Sequence, residues 1–169
     1  RETMALGIGM VHQHFKLSPS LTVGENIVLG CKPSKSPIWD KRKLQKRLEE
    51  TLVDMDFDVP LDAVVRDLSV GMMQRVEIVK TLYRGAKLII LDEPTAVLTP
   101  QETEELFISI RKLKERGHTV IFISHKLKEV MAISDRITVL RAGKTVGTVN
   151  KNDVTPKELA QMMIGRQLA

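Results

Sequence analysis

Asp92 and Glu93 directly follow four aliphatic residues, Leu88–Leu91. A continuous apolar run flanked by charge predicts a strand buried on both faces of a parallel sheet. Ligands of such sheets bind outside the carboxyl ends of the strands. Two adjacent carboxylates there need a cation or a proton to offset the cost of facing an apolar sheet. The natural division gives Asp92 to Mg²⁺, a hard cation that prefers oxygen. Glu93 is then left to orient and deprotonate an attacking water. Asp-Glu alone would read as an acidic turn, but four aliphatics followed by Asp-Glu-Pro-Thr outweigh that reading. His125 ends a second apolar run, Val120–Ile123, and adjacent parallel strands bring their carboxyl ends together. A lone strand His is usually structural; beside an Asp-Glu edge it can bond a γ-phosphate oxygen and orient the Glu.

Two further groups belong to the same chemistry. Leu68-Ser69-Val70-Gly71 opens a helix, where Ser69 offers a hydroxyl and Gly71 lets a phosphate approach the backbone. Free N–H groups and the positive end of the helix dipole add to this. A plain Ser cap is common in any protein, so the motif is weak alone. Gln13 lies just past a predicted strand; its carbonyl suits Mg²⁺ and its amide suits a water. His12 and His14 flank it on one strand face, but no carboxylate or Cys is near in sequence, so zinc ranks low. The eight Met residues are scattered apart from Met72-Met73 and Met162-Met163, and read mainly as core filling.

These residues must be positioned by alternating strands and helices. Residues 7–12 read as a short strand. Residues 22–30 read as a short helix, with Thr22 and Glu25 as a capping box and Gly30 as its stop. Pro33 and Pro37 mark a loop over 31–39. A helix from Asp40 to Met55 carries the stripe Leu44, Leu48, Leu52 and Met55. After Ser69 a helix with Val76, Val79 and Tyr83 on one face ends at Gly85. Pro100–Gly117 is a helix with Leu106, Ile110 and Leu113 inward, and Thr119–Ile123 is the next buried strand. Strand, helix and strand of these lengths form a βαβ unit with parallel strands. A short helix over Lys126–Ala132 follows. Arg136–Arg141 and Thr145–Val149 form a hairpin about Ala142-Gly143. A last helix over Thr155–Ile164 has Thr155 as cap, Pro156 first and Gly165 beyond its end.

The bulk numbers fit a soluble globular protein: 169 residues, 43% hydrophobic, 28% charged, net charge +5. Basic residues concentrate between Lys32 and Arg47, best read as a solvated helix face, with an acidic partner or lipid headgroups as the sharper reading. Aromatics at 4% argue against nucleic acid. Lone Cys31 excludes an internal disulfide and suits a reducing compartment. The apolar runs are too short to span a bilayer, and no signal peptide is visible. A start at Arg1 leads to the expectation that the chain lies inside a larger protein.

Taken in order, Gln13 after a strand, LSVGMMQR, LIILDEP and the strand-end His125 resemble the ATP-hydrolysing subunit of ABC transporters. Gln13 resembles the Q-loop glutamine. Ser69, Val70, Gly71 and Met72 fall on the LSGGQ signature, from which Val70 and Met72 depart. Asp92 matches the Walker B aspartate, Glu93 the catalytic glutamate and His125 the switch histidine. Thr99 stands where the D-loop usually has an aspartate. VHQHFKLSPSLTVGENIVLG and LDEPTAVLTPQE are similar to importers of simple sugars and nucleosides, in which two ATPase halves are fused. The closing MIGRQLA is similar to the end of the first half, so the resemblance implies an N-terminal half cut at both ends.

The fold so implied is α/β, part of a P-loop NTPase core with parallel strands plus an α-helical subdomain carrying the signature. Residues 1–16 would close the N-terminal core, 17–86 form the helical subdomain, and 87–169 hold Walker B and the switch His. ATP and Mg²⁺ would be the ligands. The partners would be transmembrane permease subunits, a second ATPase half or subunit, and a periplasmic or lipoprotein solute-binding protein. The place would be the cytoplasmic face of the cell membrane.

No Walker A loop is present: none of the ten glycines fits it. Gly143-Lys144-Thr145 ends like one, but Thr138 holds the place of its first glycine, and a hairpin is expected there. The chain alone is therefore expected to bind ATP weakly or not at all, and not to hydrolyse it. Uncovered sheet faces and open edges predict self-association or a domain swap. Two alternatives remain beside import: a non-transport ABC ATPase, which usually carries coiled-coil or zinc insertions, and a non-hydrolysing partner half.

Overall fold

The structure, a computed structural model, describes residues 5–29, 41–55 and 57–165. The expected Gly30 stop, the loop with Cys31, Pro33, Pro37 and Trp39, the helix start at Asp40 and the tail beyond Gly165 lie outside them. The chain divides into two compact units, one running to Ile123 and one starting at Ser124.

Parallel pairing organises the first unit. Among the described residues β1 (Ile8–Val11), β2 (Leu88–Asp92) and β3 (Thr119–Ile123) form a sheet in that order, with Val11 opposite Leu91 and Asp92 opposite Ile123. The shared register places all three carboxyl ends on one edge. Alternation along each strand decides what is covered. In β2, Ile89 and Leu91 are fully buried while Leu88 and Ile90 are half-buried. The expectation of burial on both faces is therefore corrected to one closed face. In β3 the correction is larger, since Ile121 and Ile123 remain 44% and 43% exposed. Phe122, pointing the other way, meets Phe107 edge-on at 5.9 Å between ring centroids. β1 ends at Val11, so His12 and His14 lie past the strand and do not share a strand face.

Capping chemistry sets the helix starts. Thr22 and Glu25 close a capping box that opens α1 (Val23–Val28). α2 (Lys41–Met55) turns Leu48 and Leu52 inward. Its outer face carries the exposed Lys46–Glu50 pair, and Arg47 lies 5.7 Å from the Tyr83 ring centroid. α3 (Val70–Tyr83) is capped by Ser69 and buries Val76, Ile78, Val79 and Leu82, so its second half is covered nearly all round. Gly85, with φ +87°, turns the chain from it into β2. α4 (Pro100–Glu115) starts with a Thr99–Glu102 capping box and Pro100 in its first turn. Leu106, Ile110 and Leu113 are buried along it.

The second unit has its own small core of Val130, Ile137, Val139 and Leu159. These come from α5 (Leu127–Ile133), the hairpin β4 (Arg136–Arg141) and β5 (Lys144–Asn150), and α6 (Pro156–Ile164). Ala142 and Gly143 have φ of +48° and +73°, the left-handed pair a two-residue hairpin requires. Gly143-Lys144-Thr145 thus opens a strand, not a helix. Thr155 caps α6 through Glu158, and Gly165 leaves it at φ +78°. Among the described residues no helix is long and apolar enough to cross a membrane.

Candidate functional site at the sheet edge

The carboxyl edge of the parallel sheet collects the first group of residues. Asp92 is the last residue of β2 and is half-buried. Glu93 follows at φ +46°, a left-handed conformation that costs a non-glycine residue about 1–2 kcal/mol. Both its backbone groups are engaged: its N–H donates to Ile123 O at 3.0 Å, and its carbonyl accepts from Ala96 N–H at 3.2 Å. These bonds hold the kink, which turns the chain sharply off the sheet just where the two carboxylates sit. Strain kept this way clusters at functional sites. Thr95, two residues on, is 1% exposed.

Gln13 comes two residues after β1 ends and is exposed, so it stands at the strand end neighbouring that of Asp92. The carboxylate of Asp92 and the amide oxygen of Gln13 are hard oxygen donors, which fit Mg²⁺. Among the described residues no group of three or more His, Cys, Asp and Glu converges as a metal cluster. His125 follows β3 by two residues and is exposed; it opens the second unit.

The second group sits at the start of α3. Ser69 Oγ accepts from Met72 N–H at 3.2 Å. Gly71 N–H donates to Glu102 Oε1 of α4 at 3.0 Å, and a Cβ on Gly71 would lie 2.7 Å from that oxygen. A side chain at Gly71 would push aside the Glu102 carboxylate, the movable end of a side chain of the same chain. Val70 and Met72 are half-buried. Glu102 Oε2 accepts from Thr99 N–H at 3.0 Å and Thr99 Oγ1 at 3.0 Å. Bonds from the Thr99 and Gly71 backbones hold the Glu102 carboxyl below its ordinary value. Thr99, where an aspartate was expected from the resemblance, is the hydroxyl half of this box.

Three residues missed in the sequence hold the segment behind Gln13. Glu77 Oε1 accepts from Lys16 N–H at 2.8 Å, and Lys80 Nζ donates to Lys16 O at 2.8 Å. Asn26 Oδ1 accepts from Ser18 N–H at 2.7 Å and its Nδ2 donates to Ser18 O at 3.1 Å. All three are buried. Burial lowers the Lys80 pKa, and the Glu77 carboxylate pulls it back up. The available signal was a Glu and a Lys at i and i+3 in a helix whose neighbouring positions Val76, Ile78, Val79 and Leu82 are apolar.

The sequence profile described as ABC transporter matches residues 1–96, more than half of the chain. The chain belongs to the ABC transporter family. It is 50% identical over 164 residues to a nucleoside import ATP-binding protein of Lactococcus lactis, covering 97% of this chain and 32% of the relative. A guanosine import ATP-binding protein of Bacillus subtilis is 47% identical over 164 residues, with 97% and 32% covered. A ribose import ATP-binding protein of Streptomyces avermitilis is 42% identical over 168 residues, with 99% and 32% covered. This family member therefore spans about a third of the length of these relatives.

Solved structures agree with the fold. A nucleotide-free ATP-binding cassette from an ABC transporter aligns at a TM-score of 0.74 with 26% identity, covering 88% of this chain and 63% of that one. A subunit of an ABC transporter complex from Clostridium perfringens aligns at 0.75 with 27% identity, covering 91% and 61%. The chain is an ABC-type α/β ATPase fold with a parallel sheet and helices.

Proposed function

We propose that the intact protein hydrolyses ATP to power import of a small solute, a sugar or nucleoside, and that this chain supplies the Walker B, switch and signature parts of one ATPase half. The observation that carries the reading is the Asp92-Glu93 pair at the carboxyl end of β2, with Glu93 kinked off the sheet beside the end of β3. Family membership and the import functions in the relatives' names support it.

In this reading the Glu93 carboxylate takes a proton from the water that attacks the γ-phosphorus, while the bond to the leaving ADP oxygen breaks. His125, matching the switch histidine, would bond a γ-phosphate oxygen. Asp92 and Gln13 would hold Mg²⁺, which when bound neutralises the charge of the phosphate oxygens. Ser69, Val70, Gly71 and Met72 would meet the ATP of the opposite half. Residues 17–86 would form the helical subdomain that contacts the permease, with 1–16 and 87–169 as parts of the core. A second ATPase half and a solute-binding protein complete the assembly at the cytoplasmic face of the membrane. Expected outcome: in the intact protein Glu93→Gln cuts ATP turnover by about 10²–10⁴-fold while nucleotide binding is retained. Wild-type turnover in that variant would remove Glu93 from the role.

The isolated chain has no Walker A loop and in this reading does not turn over ATP. The exposed Ile121 and Ile123 of β3 support self-association of the isolated chain. Light scattering over a hundredfold range of concentration checks this, and a clean monomer throughout would refute it.

A further inference from the structure

Lys16 and Ser18 have both their backbone polar groups bonded to buried side chains rather than to a neighbouring strand. Lys16 is held from α3 by Glu77 and Lys80, whose side chains are 8% and 10% exposed and lie 3.8 Å apart. Ser18 is held from α1 by Asn26, which is 0% exposed. Alternate residues bonded through N–H and C=O reproduce what a strand partner would give, but the partners here are two helices. On the other side β1 is pinned to β2 as far as the Val11–Leu91 pair. Residues 12–15 are therefore a four-residue bridge between a segment fixed to the sheet and a segment fixed to α1 and α3, and Gln13 lies on it.

Stability alone does not account for the pair. Burying two charges costs desolvation that their attraction only roughly offsets, and an apolar pair of similar volume is often as good or better. An apolar pair, however, could not bond the N–H and carbonyl of Lys16. We propose that Glu77 and Lys80, with Asn26, are positioning residues for Gln13: they make the segment behind it part of the body of α1 and α3. This rests on the reading of Gln13 as a residue that meets the nucleotide's metal and water.

The test is a double-mutant cycle for Mg-ATP turnover in the intact protein, with Gln13→Ala and Lys80→Met. Lys80→Met keeps the length of the side chain and removes the donor to Lys16 O. Each single change is expected to lower kcat by about tenfold to a hundredfold, as misplacement of a reacting group does, with KM for ATP within about twofold. In the Gln13→Ala background Lys80→Met should change kcat by less than about twofold, the ordinary error of additivity. Lys80→Arg, which keeps the donor, should recover most of the rate. If the two losses multiply, or Lys80→Met alone turns over normally, the positioning role is overturned while the reading of Gln13 stands. If Gln13→Ala itself turns over at the wild-type rate, that reading fails and the proposal with it. Where Lys80→Met does not fold, the neutral pair Glu77→Gln/Lys80→Met takes its place in the cycle. It removes the contact to Lys16 O without leaving a buried carboxylate unpaired.

Discussion

The first turn of α3 is held by side chains that water reaches, and its second half by side chains that water does not. Ser69 caps the start from an exposed position, and Glu102 bonds Gly71 N–H from the partly open first turn of α4. Six and nine residues after Gly71, Glu77 and Lys80 grip the backbone of Lys16 from within the core, between Val76 and Ile78 at 0% exposure and Leu82 at 3%. Polar bonds of similar length therefore differ in what breaking them costs. In water a lost bond is replaced by solvent; in the core it leaves a group unpaired.

Three substitutions sharpen or break this comparison. The largest effect is expected from Lys80→Ala, which strands the buried Glu77 carboxylate: roughly 3–5 kcal/mol of stability by urea denaturation. Ser69→Ala removes an exposed cap and should cost about 1 kcal/mol in the same assay. Equal losses for the two would collapse the distinction between the ends. The smallest effect at neutral pH belongs to Glu102→Gln, because glutamine still completes the capping box with Thr99. Its signature lies in acid. The Glu102 carboxyl is held below its ordinary value of 4.5 by the Thr99 and Gly71 bonds. The stabilisation is thus fully present above pH 4.5 and is lost as pH falls through the lowered value. Urea midpoints measured from pH 7 down to about pH 3 should show part of the acid loss missing in Glu102→Gln; an unchanged profile would place the stabilising charge elsewhere.

Much of the fold was legible because its signals are local. The boxes Thr22–Glu25 and Thr155–Glu158, the hairpin at Ala142-Gly143 and the strand over Leu88–Leu91 each follow from residues a few positions apart. The Asp92-Glu93 edge was legible for the same reason. What failed was burial. β3 reads as an inner strand, since Val120–Ile123 is apolar throughout, yet two of its isoleucines face outward. Apolar type shows that a side chain gains from cover, not that cover is present. Nor does the sequence show that Gly71 N–H meets a carboxylate from thirty-one residues downstream.

The sequence by itself determined the order of elements, the caps that begin them and the residue types at the strand ends. These depend on backbone propensity and on side chains within one helical turn of each other. Only the tertiary structure decided that Glu77 and Lys80, sixty-one and sixty-four residues from Lys16, close on its backbone. The same holds for Asn26 on Ser18 and Glu102 on Gly71. The physical reason is that a hydrogen bond needs its partners about 3 Å apart. A sequence shows which groups could bond, but packing of the helices on the sheet decides which of them meet.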